Sequence, residues 1–248
     1  MRDSIKNFYL GLKFSLSYFS IIPVRFKSSD DLSSKGILKW MLLFFPFIGL
    51  ILSLLSISFV NFGDSWLMAI FGAVFYMVGY GFLHTEAIID VVDALFAKHS
   101  GKDPYKIIKD STVGAMGVLF GVAFVILKLA SLVSLFLEQK ALWLILIAIS
   151  SRLGALTIFR AFEFRSSFLT ILKESFSSFS LFLALTFYSL FILTLFGWSG
   201  VAILAILIIL SLIVSEIIGR RLGFLNGDVV GTTIELVELF GLILVVNL

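Results

Sequence analysis

Residues 175–215, SFSSFSLFLALTFYSLFILTLFGWSGVAILAILIILSLIVS, run for 41 positions without one charged side chain. A hydrocarbon core about 30 Å thick is crossed by about 20 helical residues, so this stretch is long enough to cross twice. Gly197-Trp198-Ser199-Gly200 at its middle supplies turn residues for a reversal between the two passes. The rest of the chain agrees: of 248 residues 60% are hydrophobic and only 14% charged, with a mean hydropathy of +1.10. A soluble core cannot hide that much apolar surface, whereas helices satisfy their own backbone groups inside lipid. The fold expected is all-α, a polytopic integral membrane helix bundle.

Gaps between charges locate the other spans. Trp40 to Val60, Ser65 to Leu83 and Ser111 to Leu127 are uncharged, and the last extends past Lys128 to Leu137 if that lysine snorkels toward the headgroups. Ala141 to Phe159 is interrupted only by Arg152. Together with the double pass this makes six crossings, and Thr232 to Leu248, with Glu235 and Glu238 in its first turns, is the candidate for a seventh. Ile5 to Ile22 differs in kind. Lys6, Lys13, Ser17 and Ser20 fall within about 60° of one helix face, as in an interfacial helix lying on the membrane. Lys13 breaks the apolar run that a secretory signal would need. The whole of 1–248 reads as one membrane-embedded domain, with Pro46 as a kink in the first span.

Basic residues alternate between loops. Arg2, Lys6, Lys13, Arg25, Lys27, Lys35 and Lys39 precede the first span, Lys98, Lys102, Lys106 and Lys109 follow the second, Arg160, Arg165 and Lys173 the fourth, Arg220 and Arg221 the sixth. The opposite loops hold only Lys140. Positive residues stay inside, so the N-terminus and the loops around 84–112, 160–175 and 216–231 are expected on the cytoplasmic side. Nearly all the acidic residues fall on that same side, Asp64 and Glu138 being the exceptions.

Chemistry concentrates at His84-Thr85-Glu86-Ala87-Ile88-Ile89-Asp90-Val91-Val92-Asp93. On a helix Glu86, Asp90 and Asp93 point about 0°, 40° and −20° around the axis, one narrow sector. Three like charges that close repel unless a cation lies among them, although a solvated amphipathic face has the same spacing. With no cysteine and two histidines, His84 and His99, a metal here is expected to be hard and oxygen-ligated, magnesium or manganese. His84 is placed either to bind phosphate or act as an acid, or as a hydrogen-bonded interfacial histidine.

Two further segments lie on the same side. Lys109-Asp110-Ser111-Thr112-Val113-Gly114-Ala115-Met116-Gly117 opens the third span, with Asp110 or Ser111 as a helix cap and Gly114 and Gly117 leaving room for a phosphate or another helix. Asn226-Gly227-Asp228 makes a turn ahead of Glu235 and Glu238, which read either as acids matched to a helix dipole or as part of the site. Arg152, inside an apolar segment, needs a carboxylate or phosphate partner.

Taken in order, Ile22-Pro23-Val24, Phe45-Pro46-Phe47-Ile48-Gly49, His84 with Glu86, Asp90 and Asp93, Lys109-Asp110-Ser111 with Gly114 and Gly117, Ser151-Arg152, and Gly227-Asp228 with Gly231, Glu235 and Glu238 resemble the cobalamin synthase, or adenosylcobinamide-GDP ribazoletransferase, family over almost the whole length. The family's acidic motif usually reads HxDGxxDxxDG. Here Glu86 stands for its first aspartate and Ala87 and Ala94 for its glycines, and Ile21 and Thr112 stand where arginines are common. The resemblance implies a Mg²⁺-dependent enzyme, multi-pass in the bacterial inner (plasma) membrane with its active site facing the cytoplasm. It would join α-ribazole, or its 5′-phosphate, to adenosylcobinamide-GDP with release of GMP. On this reading Glu86, Asp90 and Asp93 hold the metal, and His84, Asp93, Asp228 and Glu235 are the catalytic candidates. Asp110, Ser111, Gly114, Arg152 and Glu238 contact substrate. No nucleic acid is expected as a partner, and a homo-oligomer is compatible. A CDP-alcohol phosphotransferase, whose aspartate run is longer and differently spaced, and an ion-coupled transporter, which places charges at midplane and shows inverted repeats, are the competing readings.

Overall fold

The computed structural model describes residues 2–60, 65–110 and 112–248. Among these every regular element is an α-helix: α1 (Arg2–Phe19), α2 (Lys35–Leu43), α3 (Phe45–Val60), α4 (Trp66–Gly79), α5 (Leu83–His99), α6 (Pro104–Lys109), α7 (Ala115–Leu137), α8 (Trp143–Ala161), α9 (Ser167–Ser175), α10 (Ser178–Leu222) and α11 (Gly227–Val246). The expectations at Asp64 and Ser111 lie outside the described residues. Small polar side chains close the helix starts: Ser34, Ser65, Ser166, Ser177 and Asn226 each accept the amide three residues on, satisfying a donor the helix leaves orphaned.

Two spans are broken, each for an identifiable reason. α2 and α3 meet at 40°. Pro46, in the first turn of α3, has no amide to carry the ladder across Phe44. α4 and α5 meet at 73°, because Gly81 and Phe82 take left-handed backbone angles, φ 64° and 54°. The chain re-enters a helix at Leu83, so the carboxylate triplet rides on α5 as its helical spacing predicts, within the segment 84–112 expected on the cytoplasmic side.

α10 is 45 residues long, about 67 Å of helix if straight. It is not straight. Gly197 has φ 63° and ψ −160°, a conformation open to glycine almost alone, and the chain reverses there. Phe196 packs on Trp143 at the start of α8, Ser178 is bonded by Arg160 at its end, and a Cβ on Gly154 of α8 would strike Ser211 on the returning arm. The uncharged stretch therefore makes the two passes expected of it. Four helices are each long and apolar enough to cross a bilayer, and the two bent pairs raise this to six; the reversal of α10 adds one. The chain is a multi-pass membrane protein.

α8 is the central helix, 89% of its most apolar window being buried. α3, α10 and α11 pack around it, and α5 and α7 complete the bundle against α11. α1 lies outside, against α2, with Ile5, Phe8 and Tyr9 exposed, and is not among the helices apolar enough to span. This is the arrangement expected of an interfacial helix. The last helix begins at Gly227, five residues before the expected Thr232, and Glu235 and Glu238 face inward from it.

Candidate functional site

At the end of the bundle that carries Arg160 and Arg165, six helices converge by their termini around a cavity of about 140 Å³. α1 contributes Tyr18 and Phe19, α3 Phe45, α5 His84 and Ala87, α8 Phe159, α9 Phe168, and α11 Asp228 and Gly231. The walls mix aromatic rings with aliphatic side chains such as Leu169, Leu172, Val230 and Ile234. Phe19 and Phe45 are stacked with centroids 3.9 Å apart, and Tyr18 leans on Phe168 at 5.7 Å. His84 lies nearly parallel to Tyr80 at 5.8 Å and edge-on to Phe45 at 6.0 Å. Only 6% exposed, it has no hydrogen-bond partner for Nε2. Asn226 donates to one oxygen of Asp228 at 2.6 Å while its own Oδ1 caps α11, so the turn Asn226-Gly227 sets both the helix start and the carboxylate.

Glu86, Asp90 and Asp93 occupy one sector of α5, as the periodicity requires, but they do different things. Glu86 is exposed and Asp90 half-buried, and the charges around Asp90 are those of Asp228, Glu86 and Asp93. Asp93 is turned to α7. Its two oxygens accept the amides of Gly114 at 2.6 Å and Gly117 at 2.7 Å. A carboxylate from another helix thus stands where an anion is favoured at a helix N-terminus. A Cβ at Gly117 would lie 2.5 Å from Asp93, so the glycines make room for this contact. Sequence reasoning gave the capping of the third span to Asp110 or Ser111. Asp110 instead ends α6, exposed, and accepts the Thr112 amide, which holds its carboxyl below the usual range. Among the described residues no three His, Asp or Glu side chains form a preassembled metal cluster.

Glu235, Glu238 and Arg152 do not line the cavity. They sit beneath it, with Lys128, in a closed network: Lys128, Glu235, Glu238 and Arg152 are 0, 0, 2 and 1% exposed. Lys128 is bonded to Glu235, and reaches Glu238 at 2.7 Å and the Tyr80 hydroxyl at 3.2 Å. Glu238 also accepts from Arg152 at 2.7 Å, and from Tyr76 and Ser151 at 3.0 Å each. Thr85 donates to Glu235 at 2.8 Å. Lys128 does not snorkel; two cations and two anions neutralise one another where bare charge would be costly. Arg152 has its carboxylate partner. Sequence reasoning missed Lys128, Tyr76, Tyr80 and Thr85 as members. The available signal was a lysine well inside an apolar helix, which has to find a counter-charge.

The cobalamin-5-phosphate synthase family model matches residues 11–246. Among curated relatives, adenosylcobinamide-GDP ribazoletransferases of Clostridium perfringens strains SM101 and ATCC 13124 are 31% and 32% identical, each over 97% of this chain and 98% of the relative. That of Desulforamulus reducens is 27% identical over 96% of both chains. No solved structure matches the chain. These matches favour neither a CDP-alcohol phosphotransferase nor a transporter.

Proposed function

The chain belongs to the cobalamin-5-phosphate synthase family, and from that premise we propose that it joins α-ribazole, or its 5′-phosphate, to adenosylcobinamide-GDP and releases GMP. The match over residues 11–246 carries this reading. A ribose hydroxyl oxygen of the acceptor attacks the phosphorus attached to the cobinamide arm. The new ester P–O bond forms, the bridging bond to GMP breaks, and the hydroxyl proton passes to a carboxylate. Of the three candidates for that base, Asp93 is engaged by α7 and Glu235 by Lys128. Asp228 alone lines the cavity, and we assign it the role.

The donor set fits magnesium, which is commonly held by one or two carboxylates and completed by substrate phosphates and water. Glu86 and Asp90, open or half-open to solvent, would hold it, with Asp93 fixing the adjoining helix start. The ion would supply charge stabilisation on the diphosphate. Lys109, whose charge acts on Asp228, is a cation near this carboxylate that could pair with a substrate phosphate. The charge asymmetry of the loops supports a position in the bacterial inner membrane with this end facing the cytoplasm.

The test is direct. Purified protein in liposomes, given adenosylcobinamide-GDP, α-ribazole and Mg²⁺, should release GMP and form the cobalamin product, and EDTA should stop it. Absence of GMP under those conditions rejects the assignment. Asp228→Asn and Asp90→Asn should each lower turnover by about 10²-fold or more while helicity by circular dichroism stays unchanged.

A further inference from the structure

We propose that the aromatic cavity is the seat of the acceptor's base, the fused two-ring benzimidazole of α-ribazole. This rests on the ribazole-transferring reading above and deepens it. Pockets for whole drug-sized ligands run to about 300–1,000 Å³. At about 140 Å³ this cavity has room to enclose one ring system, not a whole corrinoid or nucleotide. Phe19, Phe45, Phe159 and Phe168 line it together with aliphatic side chains such as Leu169 and Ile234, an apolar wall whose rings can offer a flat aromatic ligand stacked or edge-on contacts.

Polar groups are few. Besides the Tyr18 hydroxyl, the cavity has only His84 and Asp228 as polar side chains. The Nε2 of His84, in a side chain nine-tenths buried, has no partner in the protein. A buried polar atom of that kind is uncompensated, and a small turn of the ring toward the cavity that His84 lines would let a ligand nitrogen or hydroxyl pair with it. The guanine of the donor is a poorer match: Asp228 could accept from its ring N–H and amino group, but its carbonyl and remaining ring nitrogens would be left against apolar walls. A benzimidazole carries two ring nitrogens, one of them bonded to the ribose, and leaves nothing unpaired that His84 cannot meet.

The placement also gives the acceptor a direction. Asp228 stands on the cavity wall and is the carboxylate that Asp90 feels from α11. A base seated among the phenylalanines therefore puts its ribose at Asp228, with the hydroxyls toward Glu86 and Asp90, where the donor's diphosphate is held in the reading above. The same residue that closes the cavity is then the one positioned to take the hydroxyl proton.

Phe168→Ala tests the seat. The KM for α-ribazole should rise about five- to ten-fold, the loss expected of one aromatic contact. The kcat and the KM for adenosylcobinamide-GDP should stay within about two-fold, and Phe168→Leu should recover part of the loss. With wild-type protein, 5,6-dimethylbenzimidazole should compete with α-ribazole and not with the donor. An unchanged KM for α-ribazole, or an equal rise in the donor's KM, overturns the proposal. Equilibrium dialysis of α-ribazole against the purified protein without donor separates it from the assigned reaction. Saturable binding weakened by Phe168→Ala keeps the seat even if no GMP is formed; no saturable binding by wild-type protein removes it even if GMP appears.

Discussion

Lys128 shows how one residue changes the meaning of two others. Read along the chain, Glu235 is a free carboxylate and a candidate base. In the bundle it shares Lys128 with Glu238 and is completely enclosed. Removing one partner from such a network strands the other charge, which costs about 3–5 kcal/mol, whereas removing matched partners together costs far less. Lys128→Met should therefore lower stability in SDS unfolding by roughly that amount. Glu235→Gln alone should also destabilise, and the double variant Lys128→Met with Glu235→Gln should regain part of the loss through their coupling. If the two effects simply add, the network is not a unit. If Glu235→Gln abolishes GMP release at unchanged stability, Glu235 is the base and Asp228 is not.

At the scale of elements, the breaks matter more than the helices. The 73° turn between α4 and α5 carries His84 to the cavity and Asp93 to α7. The reversal at Gly197 lets α10 return its second arm to α8 and α11. Alanine at Gly197 would have to hold φ 63° with ψ −160°, a strain of about 1–3 kcal/mol for a residue with a Cβ. Gly197→Ala should lose stability by that order, yet keep the turnover of the folded protein, since the hairpin lies at the end of α8 away from the cavity. A loss of kcat without loss of stability would mean that the hairpin reaches the site by a route the packing does not contain. The passes themselves were legible in the sequence because an uncharged run of known length has few alternatives in lipid. The α4–α5 break was less so. No proline marks it, and Phe82 adopts a left-handed angle that no local rule assigns to phenylalanine.

For the whole molecule, the legible part of the site is the one written locally: three carboxylates on one helix face, and a turn that presents Asp228. The illegible part is made by distance. The Lys128–Glu238 and Arg152–Glu238 bonds join residues 110 and 86 positions apart, and the cavity is assembled from the termini of six helices, none of which reads as an aromatic pocket alone. Sidedness binds the two parts together. The cavity, Asp90, Lys98, Arg160 and the start of α11 lie at one end of the bundle, with Trp143 and Phe196 at the other. Any single loop at the first end therefore reports the location of all of them. A reporter fused after Lys102, and another in the 162–166 connection, should both score cytoplasmic, while one at Gln139, in the turn between α7 and α8, should score on the opposite side. Opposite scores at Lys102 and 162–166 would contradict the bundle itself, because α5 and α9 meet the same cavity. Agreement between those two with an inverted sign would leave the fold intact and place the diphosphate-binding end away from the cytoplasm. A nucleotide-charged donor made in the cytoplasm could not then reach Glu86 and Asp90, so the orientation measurement bears on the proposed reaction as directly as GMP release does.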